Sequence, residues 1–138
     1  MKDLTHYIGG AHVKGTSGRF ADVFNPATGE VQARVPLANA AEMAKAVEVA
    51  AAAQPAWAAV NPQRRARVLM KFVDLLNRDM DKLAEALSRE HGKTLPDAAG
   101  DVQRGLEVVE YCIGAPQMLK GDYTDSAGPG IDMYSMRQ

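Results

Sequence analysis

The side chains able to do chemistry beyond ordinary ionisation are few and widely spaced. Cys112, the one cysteine, could serve as a nucleophile where a base or a positive charge stabilises its thiolate. No histidine lies near it in sequence, and it is one residue from the apolar Val109 and Ile113 pattern, a setting that predicts a buried or half-buried structural thiol. His6, His12 and His91 make no pair at the i,i+4 or short-loop spacing of a zinc site, so no metal site is expected. No G-x-G-x-x-G or P-loop pattern occurs, and Gly128 and Gly130 merely flank a proline, so no nucleotide-binding residue is assigned. Arg64, Arg65 and Arg67 read as a solvated helix face or as ion-pair partners. Arg104 stands apart because Gly100 and Gly105 lie beside it in a helical pattern, where each glycine costs about 1 kcal/mol relative to alanine. Glycine tolerated at that cost points to close approach of a backbone or a ligand. The alternative is an exposed arginine pairing with Glu107 or Glu110.

Arg104 must be positioned by a helix that Thr94 opens, with Pro96 and Asp97 in its first turn. Its apolar stripe is Val102, Leu106, Val109 and Ile113, and the helix is expected to run to about Leu119, with Gly121 stopping it. Three helical stretches precede it. Asn39 and Glu42 have the spacing of a capping box and start a helix over about 40–59. Asn61-Pro62 starts a second, carrying Val68, Leu69, Phe72, Leu75 and Leu76. A break near Asp79 separates it from a third, with Met80, Leu83, Ala84 and Leu87 on one face and Gly92 ending it. Upstream the periodicity is that of strands. Gly9-Gly10 between Tyr7-Ile8 and Ala11-His12-Val13 suits a two-residue primed turn, and Asn25 to Gly29 turns a second hairpin over 20–35. Ile131 to Met136 alternates like a strand but has no visible partner. The fold class is therefore α+β: hairpins first, then four helical stretches.

Composition bounds what such a chain does. Its 138 residues are 46% hydrophobic and 24% charged, with 16 Lys and Arg against 17 Asp and Glu, the profile of one globular unit. A net charge of −1 without a basic stripe excludes an electrostatic footprint for nucleic acid or an anionic membrane. The longest nearly unbroken apolar run, Val47 to Ala53, is far short of the roughly 20 residues needed to span a bilayer. The first residues lack the apolar core of a secretory signal, so cytoplasm or an organelle matrix is the expected compartment.

Tyr7-Ile8-Gly9-Gly10, Asn25-Pro26-Ala27-Thr28-Gly29-Glu30-Val31, Trp57, Arg64-Arg65-Ala66-Arg67-Val68 and Glu90-His91-Gly92-Lys93, in this order and spacing, resemble the amino-terminal portion of the NAD-dependent aldehyde dehydrogenases. Gly100 through Tyr111 and the Gly-Ala-Pro that follows resemble the methylmalonate-semialdehyde (malonate-semialdehyde) branch, which forms acyl-CoA. The resemblance covers the whole chain and about the first quarter of a family member. It implies an α/β dehydrogenase whose Rossmann-like NAD domain lies beyond residue 138, with hairpins over 5–35, helices over about 40–120 and residues 122–138 starting its oligomerisation strands. It implies NAD and CoA for the parent enzyme, a small semialdehyde substrate, no nucleic acid or membrane partner, and a homo-oligomer. The catalytic thiol, the general base and the nucleotide fold would lie downstream; Cys112 does not match the nucleophile. Arg104 matches an arginine that resembles a clamp for the substrate's distal carboxylate, a task suited to a bidentate guanidinium. Alone, the segment is expected to be inactive and marginally stable. A short non-catalytic paralogue acting as an interaction module, and an aldehyde dehydrogenase without CoA dependence, remain the alternatives.

Overall fold

A computed structural model describes residues 2–137. Their order is β1 (Lys2–Asp3), β2 (His6–Ile8), β3 (Ala11–Val13), β4 (Phe20–Phe24), β5 (Val31–Pro36), α1 (Ala40–Ala58), α2 (Pro62–Arg78), α3 (Met80–His91), α4 (Leu95–Ile113), α5 (Ala115–Met118), β6 (Tyr123–Gly128) and β7 (Ile131–Tyr134). The chain divides into two compact units. One runs to Val60 and resumes over Met80–Val102; the other holds Asn61–Asp79 and continues from Gln103.

In the first unit, β2 and β3 pair antiparallel across a turn in which Gly9 and Gly10 have φ of 61° and 80°, as the primed turn requires. β5 is central to a sheet ordered β1-β5-β4, antiparallel to β4 and parallel to β1. The parallel partner is not announced by local sequence. It is held by the Arg34 guanidinium, which donates from Nε and Nη2 to the two carboxylate oxygens of Asp3 at 2.9 Å each. Between β4 and β5 the turn is local chemistry again: the Asn25 side chain accepts the Ala27 amide at 3.0 Å, and Gly29 takes φ +74°.

The capping box at the start of α1 is present in both halves, with Glu42 N donating to the Asn39 side chain at 2.9 Å and Asn39 N donating to Glu42 Oε2 at 2.8 Å. Glu42 has a second task. Its Oε1 accepts the Thr16 amide at 2.6 Å, tying the loop after β3 to α1, and lies 4.0 Å from His6 Nε2. The amides of Asn39 and Thr16 hold the Glu42 carboxyl below the usual carboxylate range. Stability from the ionised form is therefore present above that range and lost as pH falls through the lowered value. We expect Glu42→Gln to remove most of the loss of Thr16 amide protection that sets in as pH falls below the usual carboxylate range, measured by hydrogen exchange in the enzyme that carries this chain.

The turn from α3 to α4 is equally closed. Gly92 has φ +83°, and a Cβ there would come within 2.8 Å of Pro26, so it ends α3 and also admits the β4–β5 turn. Ser88 Oγ donates to the Lys93 carbonyl at 2.7 Å. A helix break falls at Asp79 as the periodicity predicts, with φ −106°.

In the second unit α2 starts on Asn61, whose side chain accepts the Gln63 amide at 2.8 Å, with Pro62 at the first helical position. Two expectations are corrected here. The helix from Thr94 does not reach Leu119: α4 ends at Ile113 and a separate turn, α5, follows Gly114. Pro116 explains the interruption, since a proline in a continuing helix lacks the N–H for the Cys112 carbonyl and crowds it. The strand at Ile131 does have a partner. β6 pairs with β7 antiparallel across a register shift at which Ser126 takes φ +51°. Asp132 closes that bulge, accepting the Ser126 amide at 2.9 Å and the Tyr123 hydroxyl at 3.0 Å.

In the first unit Ala33, Pro36, Ala84 and Ala98 are buried, and in the second Ala66 and Leu106, so the buried apolar side chains among the described residues are mostly small. Larger apolar groups face outward, including Phe72 on α2 and Met43, Val47 and Trp57 on α1. No helix among the described residues is long and apolar enough to cross a membrane.

Candidate functional site

Arg104 projects from α4 and is exposed, whereas Leu106 beside it is 3% exposed and Val102, Val109 and Ile113 are half-buried. That places the predicted apolar stripe inward. At i+4 and i+7 from Arg104, and so on its face, stand Val108 and Tyr111, 62% and 71% exposed. This outward face joins a guanidinium to an aliphatic and an aromatic side chain, with the exposed carboxylate of Glu107 at i+3 beside them. Such a surface suits a short organic anion, with the charge on the arginine and the carbon skeleton along the apolar groups.

Cys112 is exposed, which corrects the expected burial. Each helical residue is rotated by about 100° from the last, so adjacency to Ile113 does not put the thiol on the inward stripe. At Gly100 and Gly105 the backbone half of the expectation is not met. A Cβ at either would meet nothing within 4 Å beyond its own helix backbone among the described residues. Glycine is demanded by proximity at Gly15, Gly92 and Gly121 instead. Of the arginine cluster, Arg64 and Arg67 are exposed as predicted for a solvated face, while Arg65 is half-buried and its Nε has no hydrogen-bond partner.

Beyond its place in Glu90-His91-Gly92-Lys93, Lys93 carries a local signal in the sequence: Asp97 follows at i+4 and Asp101 at i+8. Its side chain is only 14% exposed, and its ammonium donates to Asp97 at 3.2 Å and to Asp101. Hydrogen bonding to Asp101, reinforced by Asp97 and opposed by partial burial, holds the ammonium above the usual lysine range.

The strand-to-helix junction between β5 and α1 does not fit NAD. The β5–α1 connection, Leu37-Ala38-Asn39, contains no glycine, and the helix N-terminus it leads to is occupied by the Glu42 carboxylate, which would repel a pyrophosphate. No group of three or more His, Cys, Asp or Glu that could hold a metal occurs among the described residues.

The fold and the sequence assign this chain to a class. Residues 12–138 match the model of the aldehyde dehydrogenase family, and the chain belongs to that family. Among its relatives, the malonate-semialdehyde dehydrogenase of Pseudomonas aeruginosa is 48% identical over 135 residues, 98% of this chain and 27% of that protein. The mitochondrial acylating methylmalonate-semialdehyde dehydrogenase of Arabidopsis thaliana is 44% identical over 98% of this chain and 22% of its own length. A crystal structure, complexed with NAD, of a Sinorhizobium meliloti 1021 protein assigned as a methylmalonate-semialdehyde dehydrogenase superposes with a TM-score of 0.94 at 64% identity, covering 100% of this chain and 28% of that one. The methylmalonate-semialdehyde dehydrogenase of Oceanimonas doudoroffii gives 0.86 at 41% identity, over 99% and 28%. The chain thus spans about a quarter of the length of the relatives it matches.

Proposed function

We propose that the protein carrying this chain is an NAD-dependent, CoA-acylating malonate- or methylmalonate-semialdehyde dehydrogenase, and that Arg104 holds the distal carboxylate of its substrate. The observation that supports this most directly is the outward placement of Arg104 on a helix face that also exposes the apolar Val108 and the aromatic Tyr111, with Glu107 at i+3 beside them. A semialdehyde has one charged end and one reactive end. A guanidinium that grips the carboxylate through two parallel hydrogen bonds fixes the direction in which the aldehyde points. It thereby favours substrates that carry the carboxylate over simple aldehydes of equal length. The oxidation itself, with NAD accepting hydride and CoA accepting the acyl group, is assigned to residues outside this chain, and Cys112 takes no part in it. The same reading includes a homo-oligomer, with the exposed β6–β7 hairpin as its edge.

Purified protein incubated with NAD and malonate or methylmalonate semialdehyde is expected to form NADH only when CoA is present, with an acyl-CoA product seen by mass spectrometry. NADH with free acid in the absence of CoA would make it a dehydrogenase of the non-acylating kind. A native product near 14.8 kDa without turnover would favour the non-catalytic interaction module.

A further inference from the structure

In the unit that continues from Gln103, α4 turns by about 100° per residue, so Arg104, Glu107, Val108 and Tyr111 fall within about 100° of arc on one side of the helix. All four are exposed. Glu107 and Val108 take opposite flanks of the line from Arg104 to Tyr111, a carboxylate on one and an aliphatic group on the other. Gln103 Nε2 donates to Glu107 Oε1 at 3.2 Å, and Gln103 lies further round the same flank, so the bond holds the carboxylate at the edge of the face. Along the axis Glu107 is one turn from Arg104, a rise of about 4.5 Å. Glu110, also exposed, is about 120° round from Arg104 on the side of Glu107 and adds to the negative charge there. Arg104 has an intramolecular interaction of its own. The field of Glu107 reaches a bound anion independently of it.

We propose that Glu107 is a specificity-determining residue: with Arg104 it makes a face that accepts one carboxylate and rejects a second, so the substrate class is a semialdehyde with a single negative charge. The inference rests on the assignment of Arg104 to the substrate carboxylate. A three-carbon skeleton extending from Arg104 toward Tyr111 reaches the level of Glu107 and Val108, about 4.5 and 6 Å along the axis. Its neutral aldehyde end can lie against Val108. A second carboxylate there meets an anion on one flank and an aliphatic surface on the other, and neither offsets its loss of water. Arg104 alone would hold the dicarboxylate of the same skeleton as well as the semialdehyde; Glu107 removes that competitor.

The test measures competitive inhibition of the intact enzyme by propionate and by malonate, with malonate semialdehyde as the varied substrate. The two inhibitors share a three-carbon skeleton and carry one and two charges at about pH 8, where carboxylic acids are ionised. Glu107→Gln is expected to lower the inhibition constant of malonate relative to that of propionate by about three- to tenfold. That is the range Coulomb's law gives for a second charge about 6 Å from Glu107 at an effective dielectric constant between about 80 and 40. Charges elsewhere on the protein are the same in both enzymes and cancel in the comparison. The shift should shrink in about 0.5 M KCl, where the Debye length falls to about 4 Å. Glu107→Asp keeps the charge and should keep most of the discrimination. An unchanged ratio in Glu107→Gln, or tighter binding of both inhibitors by the same factor, would overturn the proposal, as would Glu107→Asp behaving like Glu107→Gln. If Arg104→Ala leaves both inhibition constants unchanged, the carboxylate assignment itself fails; if Arg104→Ala raises both and Glu107→Gln does not move their ratio, only the role of Glu107 fails.

Discussion

Arg104→Ala in the enzyme that carries this chain is expected to shift its preference for malonate semialdehyde over propanal by about 100-fold in kcat/KM, with most of the loss in KM. Charge-assisted hydrogen bonds are worth about 1.5–3 kcal/mol each, and a bidentate grip contains two that do not add fully, so a 100-fold change is the natural scale. Arg104→Lys keeps the charge but not the planar fork, and a point charge should recover only part of the preference. The measurement is a pair of saturation curves for each variant at one CoA concentration, compared as a ratio so that any general loss of folding cancels. If turnover of both aldehydes falls by the same factor, Arg104 supports the helix rather than the substrate. Its position argues against that outcome, because its side chain is exposed and the buried contact of that turn is made by Leu106.

The largest effect on stability is expected from Gly121→Ala. A Cβ at Gly121 would lie 1.7 Å from the carbonyl oxygen of Ser135 and 2.7 Å from its carbon, both backbone atoms that no rotamer change can move. Around that contact Ser135 N donates to the Asp122 carbonyl at 2.9 Å, and Asp122 N donates to Ser135 Oγ at 2.8 Å. Separating the two strands far enough to admit a methyl group breaks both bonds at the base of the β6–β7 hairpin. Overpacking of this kind costs about 3 kcal/mol. Gly130→Ala provides the comparison. Gly130 has φ +71° but open space around it, so alanine there pays only the left-handed backbone penalty of about 1–2 kcal/mol. Thermal melts of the intact enzyme should therefore rank wild type above Gly130→Ala and that above Gly121→Ala. A Gly121→Ala enzyme as stable as wild type would mean that the strands do not meet at Ser135. If the hairpin forms the oligomer edge, the same variant should also weaken assembly, visible in its sedimentation.

What could be read along the chain was whatever neighbouring residues settle among themselves. Gly9-Gly10 makes its primed turn, Asn39 and Glu42 close their box, Asn61-Pro62 opens α2 and Gly92 ends α3 because each is a contest between a few adjacent dihedrals and hydrogen bonds. The inward stripe of α4 is legible for the same reason, since helical periodicity needs only the helix. The order and spacing of motifs from Tyr7 to Tyr111 likewise sufficed to indicate the family to which the chain belongs. Tertiary structure decided the rest. Nothing local told Lys2–Asp3 to pair with β5, or gave Ile131–Tyr134 a partner across a bulge closed by Asp132. A Cβ at Gly100 or Gly105, conspicuous in the sequence, would meet nothing within 4 Å beyond its own helix among the described residues, whereas Gly15, Gly92 and Gly121 are required by contacts with Pro36, Pro26 and Ser135. Cys112 is outward because rotation about the helix axis, not proximity in sequence, sets its face. Those contacts join residues from 14 to 66 positions apart in the chain. Only a folded backbone brings such atoms to within van der Waals distance, so composition and periodicity carry no record of them.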